Sequence, residues 1–402
     1  MTKKTDEIKR VQLDAVALNE LSQSEDEEDL SNISDPVNFN AVIMAADWTV
    51  ETIANQIEKN GFELNPEFQR RDAWNQIKKS RYIESLTTNI PVPQIVLAEK
   101  KGARGKFVVL DGKQRMLSIQ QYTQDVFPLQ GLDLRPDLNG KRYSALEPDD
   151  RFALDNSTVR TAVVRNWQHE DFLYLIFLRL NTASSPLSPQ ELRQALHPGP
   201  FVAFANKYTA DNLDFSRVIS SRLGPDFRMR DVEILVRFFA FSHFLPRYRG
   251  NLKQFLDSTC QSLNEAVSAG EMSVRQLEDV AESCLTAIHV IEEIFQDNAF
   301  RRWNSRSEKF EAGFNRAVFD ALTFYAKNSD VVAAMRSRPE EVKAAFIKSC
   351  SDAVFTESVT NTTKTNTAVR DRLVLWGRHL NAALDVNVVI PKFDEDGRLV
   401  EG

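Results

Sequence analysis

Residues 108–122 read VVLDGKQRMLSIQQY. An acid, a glycine, a base, an amide and a second base stand where a short apolar run gives way to helical spacing. Each type has its chemistry. Asp111 could bind a metal, orient a water, or cap the helix by accepting from its N–H groups. Gly112 lets the backbone come close to a ligand. Lys113 and Arg115 bring formal positive charge, and a guanidinium grips phosphate with two parallel hydrogen bonds. Gln114 could read a base or hold a water. The first turn of a helix also leaves N–H groups without partners and carries partial positive charge. The corner thus holds parts for phosphate binding and, with an ordered water, for hydrolysis. Read alone, the signal is weak, because Asp-Gly before a helix is common and a turn with a capped helix is the favoured reading.

A second stretch, PEFQRRDAW (66–74), places Gln69, Arg70 and Arg71 in an irregular segment ahead of a helix. Irregular segments on a rigid scaffold are where binding groups concentrate. Two arginines in a loop are otherwise ordinary solvated charge.

The elements that must position these residues follow from periodicity. Residues 49–61 read as a helix with Thr49 as cap and Gly61 as stop. Phe62–Leu64 reads as a brief strand. Residues 73–89 read as a helix with Trp74, Ile77, Ile83 and Leu86 turned inward, and IPVP (90–93) ends it. QIVLAEK and GKFVVLD form two strands around the basic loop KKGARGK (100–106), a hairpin pattern. A helix near 148–155, a strand at 158–164 and the apolar helix EDFLYLIFLRL (170–180) follow. The turn-forming NTASSPLSP (181–189) marks a boundary. Beyond it strand signals nearly vanish. Leu277, Val280, Ala281, Cys284, Ile288, Ile291 and Phe295 recur at helical spacing, as do Val369, Leu373, Trp376, Leu380 and Leu384. The run TESVTNTTKTNT (356–367) reads as a loop or cap before the last helix. The division is an acidic, disordered tail at 1–45, an α/β domain at 46–185 and a helical domain at 186–402: an α+β chain.

Of the net charge of −7, residues 1–40 carry −6, so the remainder is nearly balanced. Basic patches on the folded part can therefore still meet phosphate. The acidic run SEDEEDL (24–30) is a solubilising tail, or a competitor for a basic groove. No apolar run approaches the roughly 20 residues that cross a bilayer. The N-terminus lacks a secretory apolar stretch. The cysteines, Cys260, Cys284 and Cys350, form neither a disulfide framework nor a zinc knuckle. These features together predict a cytoplasmic protein with no membrane partner.

The two chemical stretches occur in a recognisable order. Phe68-Gln69-Arg70, a tryptophan-bearing helix, Ile90-Pro91-Val92-Pro93, and a strand closing on Asp111-Gly112-Lys113-Gln114-Arg115 resemble the GmrSD N-terminal domain family, part of the wider ParB/sulfiredoxin-like superfamily. The segment FLRLNTASSPLSPQELRQA (177–195) resembles that family's Asn-bearing loop and Glu-Leu-Arg helix. MRDVEILVRFFAF (229–241) and YRGNLKQFLD (248–257) look like its helical half. The resemblance implies a small ParB-like α/β domain followed by an all-helical domain. It implies nucleotide binding and hydrolysis at the Asp-Gly-x-Gln-Arg corner, in bacterial defence against phage. Carried over by residue, catalysis falls to Asp111, Gln114 and Arg115. Nucleotide binding falls to Gln69, Arg70, Gly112, Lys113 and Asn181, with Asp111 as a ligand for Mg²⁺. The implied partners are a nucleoside triphosphate, DNA, and a partner nuclease or a second copy of the chain.

The chain departs from that family in two ways. Lys113 stands where the family usually has glutamine; a further cation should favour phosphate, yet could change the nucleotide chosen or keep binding without turnover. Many relatives carry an HNH-type nuclease, whereas the five histidines here are dispersed. HFLP (243–246) superficially resembles an HNH His-x-x-Pro, but it ends an apolar helix with no ligand set nearby, so His243 reads as a helix-end residue. Two competitors to the NTPase reading stand beside it: a DNA- or nucleotide-sensing regulator without turnover, and a ParB-like nuclease cutting at the same corner. KKGARGK and RRWNSRSEK (301–309) could contact DNA backbone, with Trp303 stacking on an unpaired base; solvated charge is the default for both.

Overall fold

The computed structural model describes residues 41–62, 74–180, 188–219, 224–226, 228–361, 363–384 and 386–400. The chain divides into two compact units between Leu196 and His197. A small mixed sheet lies in the first and helices dominate the second, so the class is α+β. No helix among the described residues is long and apolar enough to cross a membrane.

In the first unit the strands are β1 (Val42–Thr49), β2 (Ile95–Glu99), β3 (Phe107–Asp111) and β4 (Thr158–Arg165), in the order β1-β4-β2-β3. β4 runs parallel to β2, and the other two pairings are antiparallel. The helices are α1 (Val50–Glu58), α2 (Gln76–Thr87), α3 (Lys113–Thr123), α4 (Pro148–Asn156), α5 (Glu170–Leu180) and α6 (Pro189–Leu196). The near-continuous apolar runs of β2 and β3 mark strands buried on both faces. On one face Leu97, Val109, Val159 and Val163 share a core with Ile53, Ile83, Leu86, Met116 and Ile119. α5 and α6 pack against β3. Thr49 caps α1 by accepting from the Thr52 N–H, and Asn75 caps α2 by accepting from the Lys78 N–H. Glu84 of α2 is buried, and it accepts from the Leu134 and Arg135 N–H groups at 2.7 Å each. That carboxylate holds the long loop after α3 in place without a cation.

Several sequence expectations are corrected here. β1 begins at Val42, inside the segment read as tail; its VIMAA start has no alternation and is largely exposed, so no period betrays it. α2 begins at Gln76, and Ile77 is exposed rather than inward. Trp74 precedes the helix, where it packs edge-on to Tyr82. Phe62 forms only a single bridge, to Phe107; Glu63 and Leu64 lie outside the described residues. Within 356–367, residues up to Thr360 close the helix Ala353–Thr360, and Thr365 caps the next.

The second unit runs through helices from Pro200–Asp211 to Asn366–Ala383. Helix Val274–Phe295 buries Leu277, Ala281, Cys284, Ile288, Ile291 and Phe295, the expected stripe, with Val280 only half-buried. Helix Asn366–Ala383 buries Val369, Leu373, Trp376 and Leu380. Asp320, itself buried, accepts from Arg237 at 2.9 and 2.5 Å and from Arg372 at 3.1 Å, joining three helices through one carboxylate.

Candidate nucleotide corner

β3 ends on Asp111, and Gly112 turns the chain with φ 98°, in the left-handed region. A Cβ there would lie 2.8 Å from Ile95 Cγ1 and 3.2 Å from Arg115 Nη2. Glycine is therefore demanded twice, by backbone angle and by space. α3 starts at Lys113 with no side-chain cap, and Met116 N–H bonds Gly112 O at 3.0 Å. The start of the helix, which carries partial positive charge, therefore has no side-chain acceptor.

Asp111 does not cap the helix. Arg115 Nη2 instead donates to Asp111 Oδ2 at 2.6 Å and to the Gln94 carbonyl at 3.1 Å. The Arg115 side chain is 7% exposed and that of Asp111 32%. The guanidinium is thus buried, while its carboxylate partner reaches solvent. Arg115 Nε is buried with no acceptor among the described residues. Gln114 is half-buried, and its Oε1 accepts from the Trp74 N–H at 3.3 Å. That bond ties the corner to the residue three places beyond Arg71. Gln69, Arg70 and Asn181 lie outside the described residues.

Lys113 is buried, and its Nζ donates to Glu191 Oε1 at 2.5 Å. Glu191 also closes a capping box: its Oε2 accepts from the Ser188 N–H at 2.7 Å, while its own N–H donates to Ser188 Oγ at 3.1 Å. Two carboxylates thus balance the two cations of the corner. Sequence reading credited Lys113 with extra charge for phosphate; in the structure that charge is matched by Glu191, a residue 78 positions away. The Ser-x-x-Glu spacing at 188–191 signals the capping box but carries no sign of the pairing with Lys113.

Other buried polar groups lie on α2 and α6, the helices that supply Tyr82 and Glu191. Tyr82 is buried, with no partner for its hydroxyl among the described residues. Burial holds its phenol well above the ordinary range, against the opposing charge of Arg115. On α6, Gln190 Oε1 accepts from Arg193 Nη1 at 2.6 Å. Gln190 Nε2 and both polar atoms of Gln194 are buried without partners among the described residues. Glutamines at 190 and 194 carry no distinctive spacing, and nothing in the sequence singled them out.

Residues 50–198 match the family model of the GmrSD restriction endonuclease, N-terminal domain. Over this stretch the chain is similar to that family. The GmrSD match ends two residues past the division at Leu196, so family segment and compact unit coincide at that end. Neither the curated proteins nor the solved structures gave a match. Outside the GmrSD segment, His243 is the last residue of helix Arg230–His243, with its ring against Phe239, as a helix-end residue. In the basic cluster at 301–309, Arg302 is paired with Glu311. Trp303 packs edge-on to Phe310, with ring centroids 5.0 Å apart, rather than standing clear to stack on a base.

Proposed function

We propose that this chain restricts foreign DNA in phage defence, and that a nucleoside triphosphate bound and hydrolysed at the Asp111–Arg115 corner controls that action. The family match supports the defence role and the contact with DNA. One observation carries the nucleotide reading. A buried guanidinium with an unused Nε stands beside an uncapped helix start on a left-handed glycine. A donor of that kind, already oriented and without an acceptor, would serve a phosphate once local movement admits one.

The corner is charge-balanced, so a polyphosphate needs cations from elsewhere. Mg²⁺ is commonly held by one or two carboxylates together with phosphate oxygens and waters. Asp111, whose side chain is partly exposed, is a donor of that type. When bound, the ion would neutralise phosphate charge. Arg70, with Gln69, would bring the second positive group from the first motif, and Asn181 would approach from the Asn-bearing loop. Arg115 would neutralise charge developing on the transferred phosphoryl group, while Gln114 and Asp111 would orient the attacking water. Lys113 would act by fixing the helix start through Glu191.

A second reading is a nucleotide sensor without turnover. It is favoured by the Asp111–Arg115 ion pair, because a carboxylate oxygen that already accepts from a guanidinium is engaged and less available to hold the attacking water. Phosphate release from the full chain with Mg²⁺ and a panel of nucleoside triphosphates, with and without DNA, separates the two. The enzyme reading expects turnover that falls about a hundredfold or more in Asp111→Asn and Arg115→Lys. A nucleotide that raises the melting temperature but releases no phosphate would establish the sensor instead. Neither effect with any nucleotide would remove both.

A further inference from the structure

The basic turn between β2 and β3 lies outside the nucleotide corner. It is at the opposite end of the hairpin, about 13 Å along β3 at the usual rise per residue. Lys101, Arg104 and Lys106 are all exposed. The turn is rigid. The Lys100 N–H donates to the Lys106 carbonyl at 2.8 Å, and the Lys106 N–H donates to the Ala103 carbonyl at 3.0 Å. Gly102 and Gly105 hold φ values of 70° and 78°, which the tight reversal requires.

The nearest acid in sequence, Glu99, faces inward with an 18% exposed side chain. Its Oε1 accepts from the Gly105 N–H at 3.0 Å, and its Oε2 pairs with Arg165 at 3.3 Å. One carboxylate thus braces the turn and is matched by a fifth base. Arg104 and Lys106 have no ion-pair partner among the described residues. Lys101 lies over the ring of Trp167, 4.4 Å from its centroid, and bonds the Gln168 carbonyl, so neutral groups position it.

We propose that this hairpin tip is a docking point for the phosphate backbone of duplex DNA. Several uncompensated cations on a rigid projection match a polymer that carries one negative charge per roughly 1.7 Å of its axis. No exposed ring accompanies them; Trp167 is buried beneath Lys101. The tip therefore lacks a platform for unpaired bases and would bind without reading sequence. This inference rests on the DNA-acting role proposed above, but not on the nucleotide corner.

The test is fluorescence anisotropy of the full chain on a labelled duplex across a salt series. The comparison is with the triple variant Lys101→Gln, Arg104→Gln, Lys106→Gln. The expected result is at least tenfold weaker binding and a log K against log salt slope shallower by about two to three. The melting temperature and the nucleotide response should stay unchanged, since the side chains are exposed. If the triple variant fails to fold, Arg104→Gln alone should make the slope shallower by about one. Equal affinity and slope in wild type and variant would overturn the tip assignment and leave the DNA-acting role standing. A wild type that binds no duplex would overturn both. Tighter binding to a single strand or to anionic vesicles than to the duplex would overturn the assignment to duplex DNA.

Discussion

Gly112 is the residue on which the corner's geometry turns. Replacing it with alanine would force a Cβ to within 2.8 Å of Ile95 Cγ1 and impose left-handed backbone on an L side chain. Backbone strain of that kind costs about 1–2 kcal/mol before any clash is relieved. Gly112→Ala should therefore lower the unfolding free energy by about 1–3 kcal/mol in urea denaturation. An unchanged midpoint and slope would contradict the role given to this glycine. At this scale much was legible in sequence. A strand-to-helix corner is local, so Asp111, Gly112, Gln114 and Arg115 could be placed from the chain alone. The use of Asp111 was not. Its i,i+4 spacing to Arg115 fits an ion pair as well as a cap fits its position before the helix, and only the structure shows that the ion pair wins.

The tie between α3 and α6 belongs to the scale of elements. Lys113 and Glu191 meet with side chains 5% and 6% exposed. Removing one partner strands a buried charge, which costs about 3–5 kcal/mol. Lys113→Met should show a loss of that order. The double change Lys113→Met with Glu191→Gln should recover most of it, because glutamine can still complete the capping box with Ser188. Chemical denaturation of both variants checks this, and additive losses in the double variant would contradict a direct pair. The contact was illegible because long-range pairing leaves no periodic trace. The strands β2 to β4 and helix α1 were legible because apolar runs, caps and breakers are local signals. Strand β1 was not: half of it is exposed, and residues 42–46 carry neither alternation nor a turn signal.

Across the whole molecule, burial has a consequence common to both units. Of seven tyrosines, Tyr82, Tyr122, Tyr143, Tyr208 and Tyr325 have phenols raised above the ordinary value, in each case chiefly by burial. Tyr143, which also bonds Asp155, and Tyr208, which lies near Glu282, are pushed up to about 12. A group raised in the fold stabilises fully below its unfolded value of about 10, and that stability is lost as pH climbs through the folded value. Unfolding free energy should therefore decline between about pH 10 and pH 12, and phenolate absorbance should rise later in the native protein than in urea. Coincident native and denatured titrations would contradict the burial described here. Class and the helical second half were legible at this scale, because helical spacing without strand signals extends over some 200 residues. The corner's charge balance was not, since Glu191 lies far along the chain. The central claim remains that a nucleotide is held at the Asp111–Arg115 corner. Its most direct test is titration calorimetry of Mg²⁺ and nucleoside triphosphates into the full chain and Arg115→Lys. Saturable binding to the wild type, weakened about tenfold or more in a variant that keeps its melting temperature, is the expected result. Equal binding by the two proteins, or none by the wild type with any nucleotide, would contradict it.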